Sequence, residues 1–120
     1  MAKITEPLAP LVGEQLTSIV LVRDYVQLGF DGPVLTAYVF PLVRERYRYR
    51  KRGDVGYYDA LWRCIGLTVR RASSQPREEI RIEFDHATSL SVSLRPQDQI
   101  GPEAAEFKDD ATNPVSWVVF

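Results

Sequence analysis

Two segments of this 120-residue chain share one pattern. Residues 13–41 read GEQLTSIVLVRDYVQLGFDGPVLTAYVFP, and residues 66–96 read GLTVRRASSQPREEIRIEFDHATSLSVSLRP. Each segment starts on a glycine, runs through alternating apolar residues to Phe-Asp, makes a polar turn, and runs on to a proline. Two copies are too few for a solenoid, which needs about three repeats to bury a continuous core. We therefore predict two similar three-stranded meanders that pack on each other.

Alternation of apolar and polar residues locates the predicted strands, because successive side chains of a strand point to opposite faces. In the second strand of the first copy, Val26, Leu28 and Phe30 share one face. Asp31-Gly32 after it is a tight-hairpin signal. The predicted strands lie near 16–22, 24–30 and 34–40 in the first copy and near 67–73, 79–84 and 89–94 in the second.

A helix is predicted at about 54–65, between the two copies. Asp54 is a suitable N-cap and Gly66 a suitable stop. Residues at helical spacing form an apolar stripe, namely Tyr57, Leu61, Cys64 and Ile65. Asp59 and Arg63 are spaced to form an ion pair on the opposite side.

The C-terminal part, 97–120, is predicted to hold a short helix at 102–108 and a strand. Pro102 suits the first turn of a helix. The apolar ending VSWVVF is expected to form an edge or closing strand that buries Trp117.

These patterns predict one α+β domain over residues 1–120 that is mainly antiparallel β. Six or seven strands are expected in a sandwich or a partly open barrel. Its internal repeat covers 13–41 and 66–96, and a connecting arm and helix occupy 42–65. The length and the 45% apolar content are those of a single globular domain.

Composition excludes several classes of protein. The net charge of −1 is not that of a nucleic-acid binder as a whole. Cys64 is the only cysteine, which excludes an intrachain disulfide. The N-terminus, interrupted by Pro7, Pro10 and Gly13, does not fit a signal peptide, and no apolar run reaches the roughly 20 residues that span a bilayer. We expect a cytoplasmic protein without membrane association.

Catalytic chemistry has few candidates in this sequence. His86 is the only histidine and falls in a predicted turn, and Cys64 falls on the apolar stripe of the helix, where a buried thiol is inert. Asp31 and Asp85 each follow a strand, which is an ordinary turn position. No glycine-rich phosphate loop is present. We predict no catalytic, cofactor-binding or metal-binding residues, no cofactor, and no enzymatic activity.

Residues 44–52, RERYRYRKR, are here called the arginine arm. On one extended strand its arginines would share a face, with Tyr47 and Tyr49 on the other, packing on the core. Three interpretations stay open: a solvated edge that resists aggregation, a surface for a protein partner, and a nucleic-acid surface. An acidic segment, 98–110, carries the opposite charge. The partner-binding candidates are Arg44, Arg46, Arg48, Arg50 and Arg52.

The glycine, the alternating strand, the Phe-Asp turn and the second strand, with YYDALWRCIG between the copies, resemble small uncharacterised bacterial β-rich proteins of the domain-of-unknown-function kind. The resemblance covers about residues 11–96. It implies a bacterial cytoplasmic protein, and it carries over no catalytic residue.

The leading hypothesis for function is a non-enzymatic interaction or binding module, of accessory or immunity type, with a protein partner or a second copy of itself. One alternative is nucleic-acid binding through the arginine arm. Another is a carrier of a small apolar ligand inside the β structure.

Overall fold

A computed structural model of the chain describes residues 6–109 and 116–120. The described residues form ten strands, one α-helix and two short 3-10 helices. In chain order these are a 3-10 helix Ala9–Leu11, β1 Ser18–Val22, β2 Tyr25–Gly29, β3 Val34–Ala37, β4 Leu42–Glu45, β5 Arg48–Arg50, α1 Tyr57–Trp62, β6 Val69–Gln75, β7 Glu79–Phe84, β8 Thr88–Ser93, a 3-10 helix Pro96–Asp98, β9 Ala105–Asp109 and β10 Ser116–Val119.

The strands form two five-stranded antiparallel sheets. The first sheet has the order β1-β2-β3-β9-β10, and the second has the order β5-β4-β8-β7-β6. The predicted fold class is confirmed: the protein is α+β, mainly antiparallel β, with two three-stranded meanders in a sandwich and one helix between them in the chain. The predicted strand number was too low because the arm and the C-terminal part each form a hairpin.

Each sheet combines a meander from one half of the chain with a hairpin from the other half. The hairpin β4–β5 follows the first meander but pairs with β8 of the second. The hairpin β9–β10 follows the second meander but pairs with β3 of the first. The two sheets are therefore held together by chain connections as well as by the core.

The linkers that precede the two meanders pair with each other in a reciprocal way. The amide of Gly13 donates to the carbonyl oxygen of Val69 at 2.9 Å, and the amide of Gly66 donates to the carbonyl oxygen of Leu16 at 2.7 Å. Both glycines have positive φ, +89° and +93°. A second reciprocal pair of bonds joins Leu16 to Leu67 and Val69 to Glu14. The residues that open the two sequence patterns thus occupy matching positions against each other.

The core lies between the sheets and consists of the apolar side chains that face inward at alternate positions of the strands. Val26, Leu28 and Phe30 are buried on β2 and just after it. Ile80, Ile82 and Phe84 are buried in the same way on β7. Each such side chain contributes about 1.5–3 kcal/mol by leaving water, so the period-two pattern selects which face of each sheet points inward.

The prediction of a short helix at 102–108 was wrong, because residues Ala105–Asp109 form β9. Ala105 and Phe107 are buried at a spacing of two, and they lie opposite Ala37 and Leu35 of β3. The edge of β3 provides hydrogen-bonding partners for the backbone of Ala105–Asp109. A short helix at these residues would not form those bonds. Tertiary pairing outweighs the helical start signal at Pro102.

The C-terminal strand β10 is an edge strand, as expected, but Trp117 is not buried. Its side chain is 65% exposed. In the β9–β10 pairing Val118 lies opposite the buried Phe107, whereas Trp117 lies opposite Lys108. Alternation therefore turns the tryptophan toward solvent.

The helix α1 is shorter than the predicted 54–65. Gly56 is its N-cap, with a φ of +80°, and the Asp54 carboxylate accepts a hydrogen bond from the Lys51 amide at 2.9 Å instead of capping the helix. The predicted apolar stripe is confirmed in that Tyr57, Leu61 and Cys64 are buried.

Candidate functional site

The arginine arm is a hairpin rather than one strand. Its first part belongs to β4, Arg46 takes a left-handed φ of +55° in the turn, and the chain returns as β5. Glu45 lies opposite Arg48, and Arg44 lies opposite Tyr49. The prediction that the arginines share one face was wrong, because the turn breaks the alternation in the middle of the run.

Three of the candidate arginines have partners within the chain. Arg44 donates through Nε to the carbonyl oxygen of Arg46 at 2.8 Å, and its guanidinium lies 5.7 Å from the ring centre of Tyr49. Arg52 lies 3.8 Å from the ring centre of Phe40 and donates to the carbonyl oxygen of Arg23 at 3.0 Å. The third of these arginines, Arg50, binds the carboxylate of Glu45 at 2.9 Å. Part of the arm's charge is thus used to hold the fold.

Glu45 joins the arm to the helix. Its carboxylate also accepts two hydrogen bonds from Arg63, at the end of α1, both at 2.7 Å. The hydrogen bonds from Arg63 hold the pKa of Glu45 below its usual value, with a further contribution from the charge of Arg50. Arg63 therefore binds Glu45, and the predicted ion pair of Arg63 with Asp59 was wrong. In the sequence, the signal for this connection between the arm and the helix was Glu45, the one acidic residue in the basic segment 44–52.

The tip of the arm projects two arginines and a tyrosine into solvent. Arg46 and Arg48 are exposed, and Tyr47 between them is 93% exposed. No described residue forms a hydrogen bond or ion pair with the side chain of Arg46 or Arg48. The expectation that Tyr47 and Tyr49 pack on the core was wrong, since both are exposed. The tip is therefore a mixed cationic and aromatic surface.

A second group of exposed aromatic residues lies on the adjacent helix. Tyr58 and Trp62 are one helical turn apart on the side of α1 opposite the core, and Trp62 is 67% exposed. The arm and the segment just before the helix line a common surface groove that includes Arg48, Tyr49 and Val55. Sequence analysis did not single out Tyr58 and Trp62, although both lie off the apolar stripe at a spacing of four.

The acidic segment does not neutralise the arm within the described residues. None of the ion pairs among them joins residues 44–52 to residues 98–109. Residue 110, which was counted in this segment, lies outside the described residues. The exposed arginines of the tip thus keep their charge available for an external partner.

The residues considered for catalysis have other surroundings. Cys64 is fully buried, and burial raises the pKa of its thiol to about 12. Asp85 accepts hydrogen bonds from the Arg70 side chain and the Thr68 amide, and the former lowers the pKa of Asp85. His86 is an exposed turn residue with a φ of +61°. Each of these side chains has a position that turn geometry or packing explains.

The edges of the two sheets differ in charge. The edges of the second sheet carry arginines, Arg48 and Arg50 on β5 and Arg70 and Arg71 on β6. The edges of the first sheet, β1 with the sequence SIVLV and β10 with SWVV, carry no charge. Charged edge strands resist pairing with other strands, so the second sheet is protected in a way that the first sheet is not.

Within the part of the chain that the structure describes, no group of three or more His, Cys, Asp or Glu side chains could hold a metal ion. No helix there is both long and apolar enough to cross a membrane. No family model matches this chain, and neither a curated protein nor a solved structure matches it.

Proposed function

We propose that this chain is a non-enzymatic binding module that docks onto an acidic surface of a protein partner. The contact surface consists of the tip of the arginine arm, Arg46, Tyr47 and Arg48, and the outer side of α1, Tyr58 and Trp62. The single observation that carries the proposal is that these two arginines are exposed and have no side-chain partner among the described residues, while the other three are used internally.

The composition of this surface supports a protein partner. Residues that dominate protein–protein binding energies are enriched in Trp, Tyr and Arg. Among the described residues, four of the exposed large aromatic side chains fall within positions 47–62, namely Tyr47, Tyr49, Tyr58 and Trp62. Arginine also binds carboxylates in a planar, two-pronged geometry that lysine lacks. An acidic partner surface with apolar pockets would satisfy both features.

The anchoring of the arm supports the same proposal. The Glu45 carboxylate binds Arg50 and Arg63, and Arg52 stacks on Phe40. The base of the hairpin is therefore fixed to the helix and to a residue after β3. A fixed hairpin loses less conformational entropy on binding than a free loop does. The arm is thus preorganised for presenting its tip.

The test measures binding of a fluorescent oligo-glutamate peptide, as a probe of an acidic surface, to the protein and to two double variants. Arg46→Gln/Arg48→Gln removes the free pair, and we expect about tenfold weaker binding, or about 1.4 kcal/mol. The matched control, Arg71→Gln/Arg81→Gln, removes the same charge from exposed arginines outside the arm, and we expect little change. Equal losses in the two variants, or no binding at all, would refute a role for the arm tip.

Nucleic-acid binding through the arm is the second candidate, and one observation favours it. Tyr47 stands exposed between two free arginines, and single-stranded nucleic acids bind to cationic surfaces on which bases stack against aromatic rings. An oligothymidylate with the same net charge as the peptide distinguishes the two. If it binds more tightly than the peptide, and Tyr47→Leu weakens it while leaving peptide binding unchanged, nucleic acid is the better description.

Three further expectations belong to this proposal. A homo-oligomer is one form of protein partner, and the uncharged edge of β1 is the strand that could pair with a second copy. The resemblance to small bacterial β-rich proteins and the cytoplasmic location stay predictions.

A further inference from the structure

We propose that a pocket at one end of the sandwich binds an amphipathic monoanion, with its acidic group on Arg77 and its apolar part against Leu94, Val118 and Phe120. This site lies apart from the arginine arm and is independent of the proposed protein-binding function. The proposal assigns a chemical class of ligand: a carboxylate with a medium-length alkyl or aromatic body.

The pocket exists because several strands end at this point. It lies among the N-terminal segment, the turn between β6 and β7, the residues after β8, and the end of β10. Its walls include Pro7, Pro76 and Pro96. Proline has no backbone N–H to donate to a sheet ladder, so these three positions do not continue a strand. The pocket has a volume of about 580 Å³, within the roughly 300–1,000 Å³ range of small-molecule sites.

The apolar part of the pocket comes from both sheets. Leu94 follows β8 in the second sheet, and Val118 and Phe120 belong to the β10 end of the first sheet. Leu94 is almost fully buried, and Val118 and Phe120 are partly buried. Removing an alkyl chain from water against such a surface contributes about 0.8 kcal/mol per buried methylene. The walls therefore suit a hydrocarbon body.

The pocket has two charged side chains, Glu6 and Arg77, and they differ in whether they are hydrogen-bonded to described residues of the chain. The Glu6 carboxylate accepts hydrogen bonds from the amide and the hydroxyl of Ser74 at 2.9 and 2.8 Å, and from the amide of Leu8 at 3.2 Å. Those bonds fix the N-terminal segment on β6. Arg77 is exposed, and no described residue forms a hydrogen bond or ion pair with its side chain. Of the two charged side chains in the pocket lining, Arg77 is therefore the one whose hydrogen-bond donors are open to a ligand.

The backbone conformation of Arg77 is unusual for an arginine. Its φ of +64° lies in the left-handed region, where an arginine costs about 1 kcal/mol and where glycine or asparagine is the usual residue. The turn thus holds a bulky cation in an unfavourable conformation at the rim of an apolar pocket. A carboxylate is the anion that a guanidinium binds with two parallel hydrogen bonds.

The experiment titrates decanoate into isotopically labelled protein and follows amide chemical shifts, with decanol as the uncharged analogue. We expect decanoate to shift the amides of pocket residues such as Ser74, Gln99 and Val119, and decanol to bind at least tenfold more weakly. Arg77→Asn, which suits the left-handed turn and so should fold, is expected to weaken decanoate binding about tenfold. Arg71→Gln, an exposed arginine outside the pocket, is the matched control and should leave binding unchanged.

Two results would overturn the proposal. One is the absence of shifts at the pocket residues when decanoate is added. The other is equal binding of decanoate and decanol together with no effect of Arg77→Asn, which would describe an apolar surface without an anion site. Neither result bears on the arginine arm, because the variants of the peptide-binding test leave every residue of the pocket unchanged.

Discussion

At the scale of single residues, Glu45 decides how the arm is held. It is one acidic residue among six basic ones in residues 44–52. Its carboxylate binds Arg50 within the hairpin and Arg63 on the helix. The bonds with Arg63 connect the arm to the helix, and the bond with Arg50 links the two strands of the arm.

The first prediction concerns this carboxylate and its pH dependence. The pKa of Glu45 is lower in the folded protein than its usual 4.5, because Arg63 and Arg50 stabilise the charged form. Its contribution to stability is therefore present at neutral pH and is lost as the pH falls through the folded pKa. We expect Glu45→Gln to lower the free energy of unfolding at neutral pH by at most about 1 kcal/mol, since the pairs are partly open to water.

Urea denaturation at neutral pH and at a pH well below the usual carboxyl value measures this effect. The difference between Glu45→Gln and the parent protein should disappear at the lower pH. Glu78→Gln is the control, because Glu78 is an exposed residue outside the network. A difference that persists unchanged in acid would mean that the charge of Glu45 is not the cause.

At the scale of elements, the two linkers before the meanders are the contact that relates the halves of the chain. Gly13 and Gly66 each donate to the opposite linker while holding a positive φ. A Cβ atom added at either position would meet no heavy atom of a residue other than its chain neighbours within 4 Å. A methyl group would therefore fit at both positions, and glycine is favoured there because of the positive φ.

The second prediction follows from that distinction. Gly13→Ala and Gly66→Ala should each destabilise the protein by about 1–2 kcal/mol, because an L residue is strained in the left-handed region. The two losses should be similar, since the residues occupy matching positions. Thermal or urea unfolding of the two variants measures them.

Gly101→Ala is the control for this pair. Gly101 also has no atom within 4 Å of an added Cβ, but its φ is outside the positive range. We expect a change of about 0.5 kcal/mol or less, or a slight stabilisation from the reduced entropy of the unfolded chain. A cost at Gly101 equal to that at Gly13 would show that something other than φ is responsible.

At the scale of the whole molecule, the exchange of hairpins makes the two halves depend on each other. Without the second half of the chain, the first meander would lose β9–β10 from the edge of β3 and the second sheet from its apolar face. Without β4–β5, the second meander would expose the edge of β8 in the same way. Three strands with one uncovered apolar face are at the limit of independent stability.

The third prediction is that neither half folds alone. Chains covering 1–65 and 66–120 should each lack a cooperative unfolding transition by circular dichroism. Mixed together, they should recover the β-sheet signal of the intact protein, because each supplies the hairpin that the other sheet needs. Cooperative unfolding of the 1–65 chain by itself would contradict the interdependence of the sheets.

The sequence by itself determined the approximate positions of the meander strands, the buried face of β2, β7 and β8, and the position of the helix. It could do so because period two and period 3.6 are local patterns that core burial enforces. It failed at 102–108, where the edge of β3 makes a strand of residues with a helical start signal, and at Trp117, whose exposure depends on the register with β9. It also failed to predict the arm's geometry, because the two-residue turn at Arg46 and Tyr47 reverses the chain in the middle of the run. Which arginines are free, which half supplies each hairpin and where the sandwich opens into a pocket depend on contacts between residues far apart in the chain, so only the tertiary structure decided them.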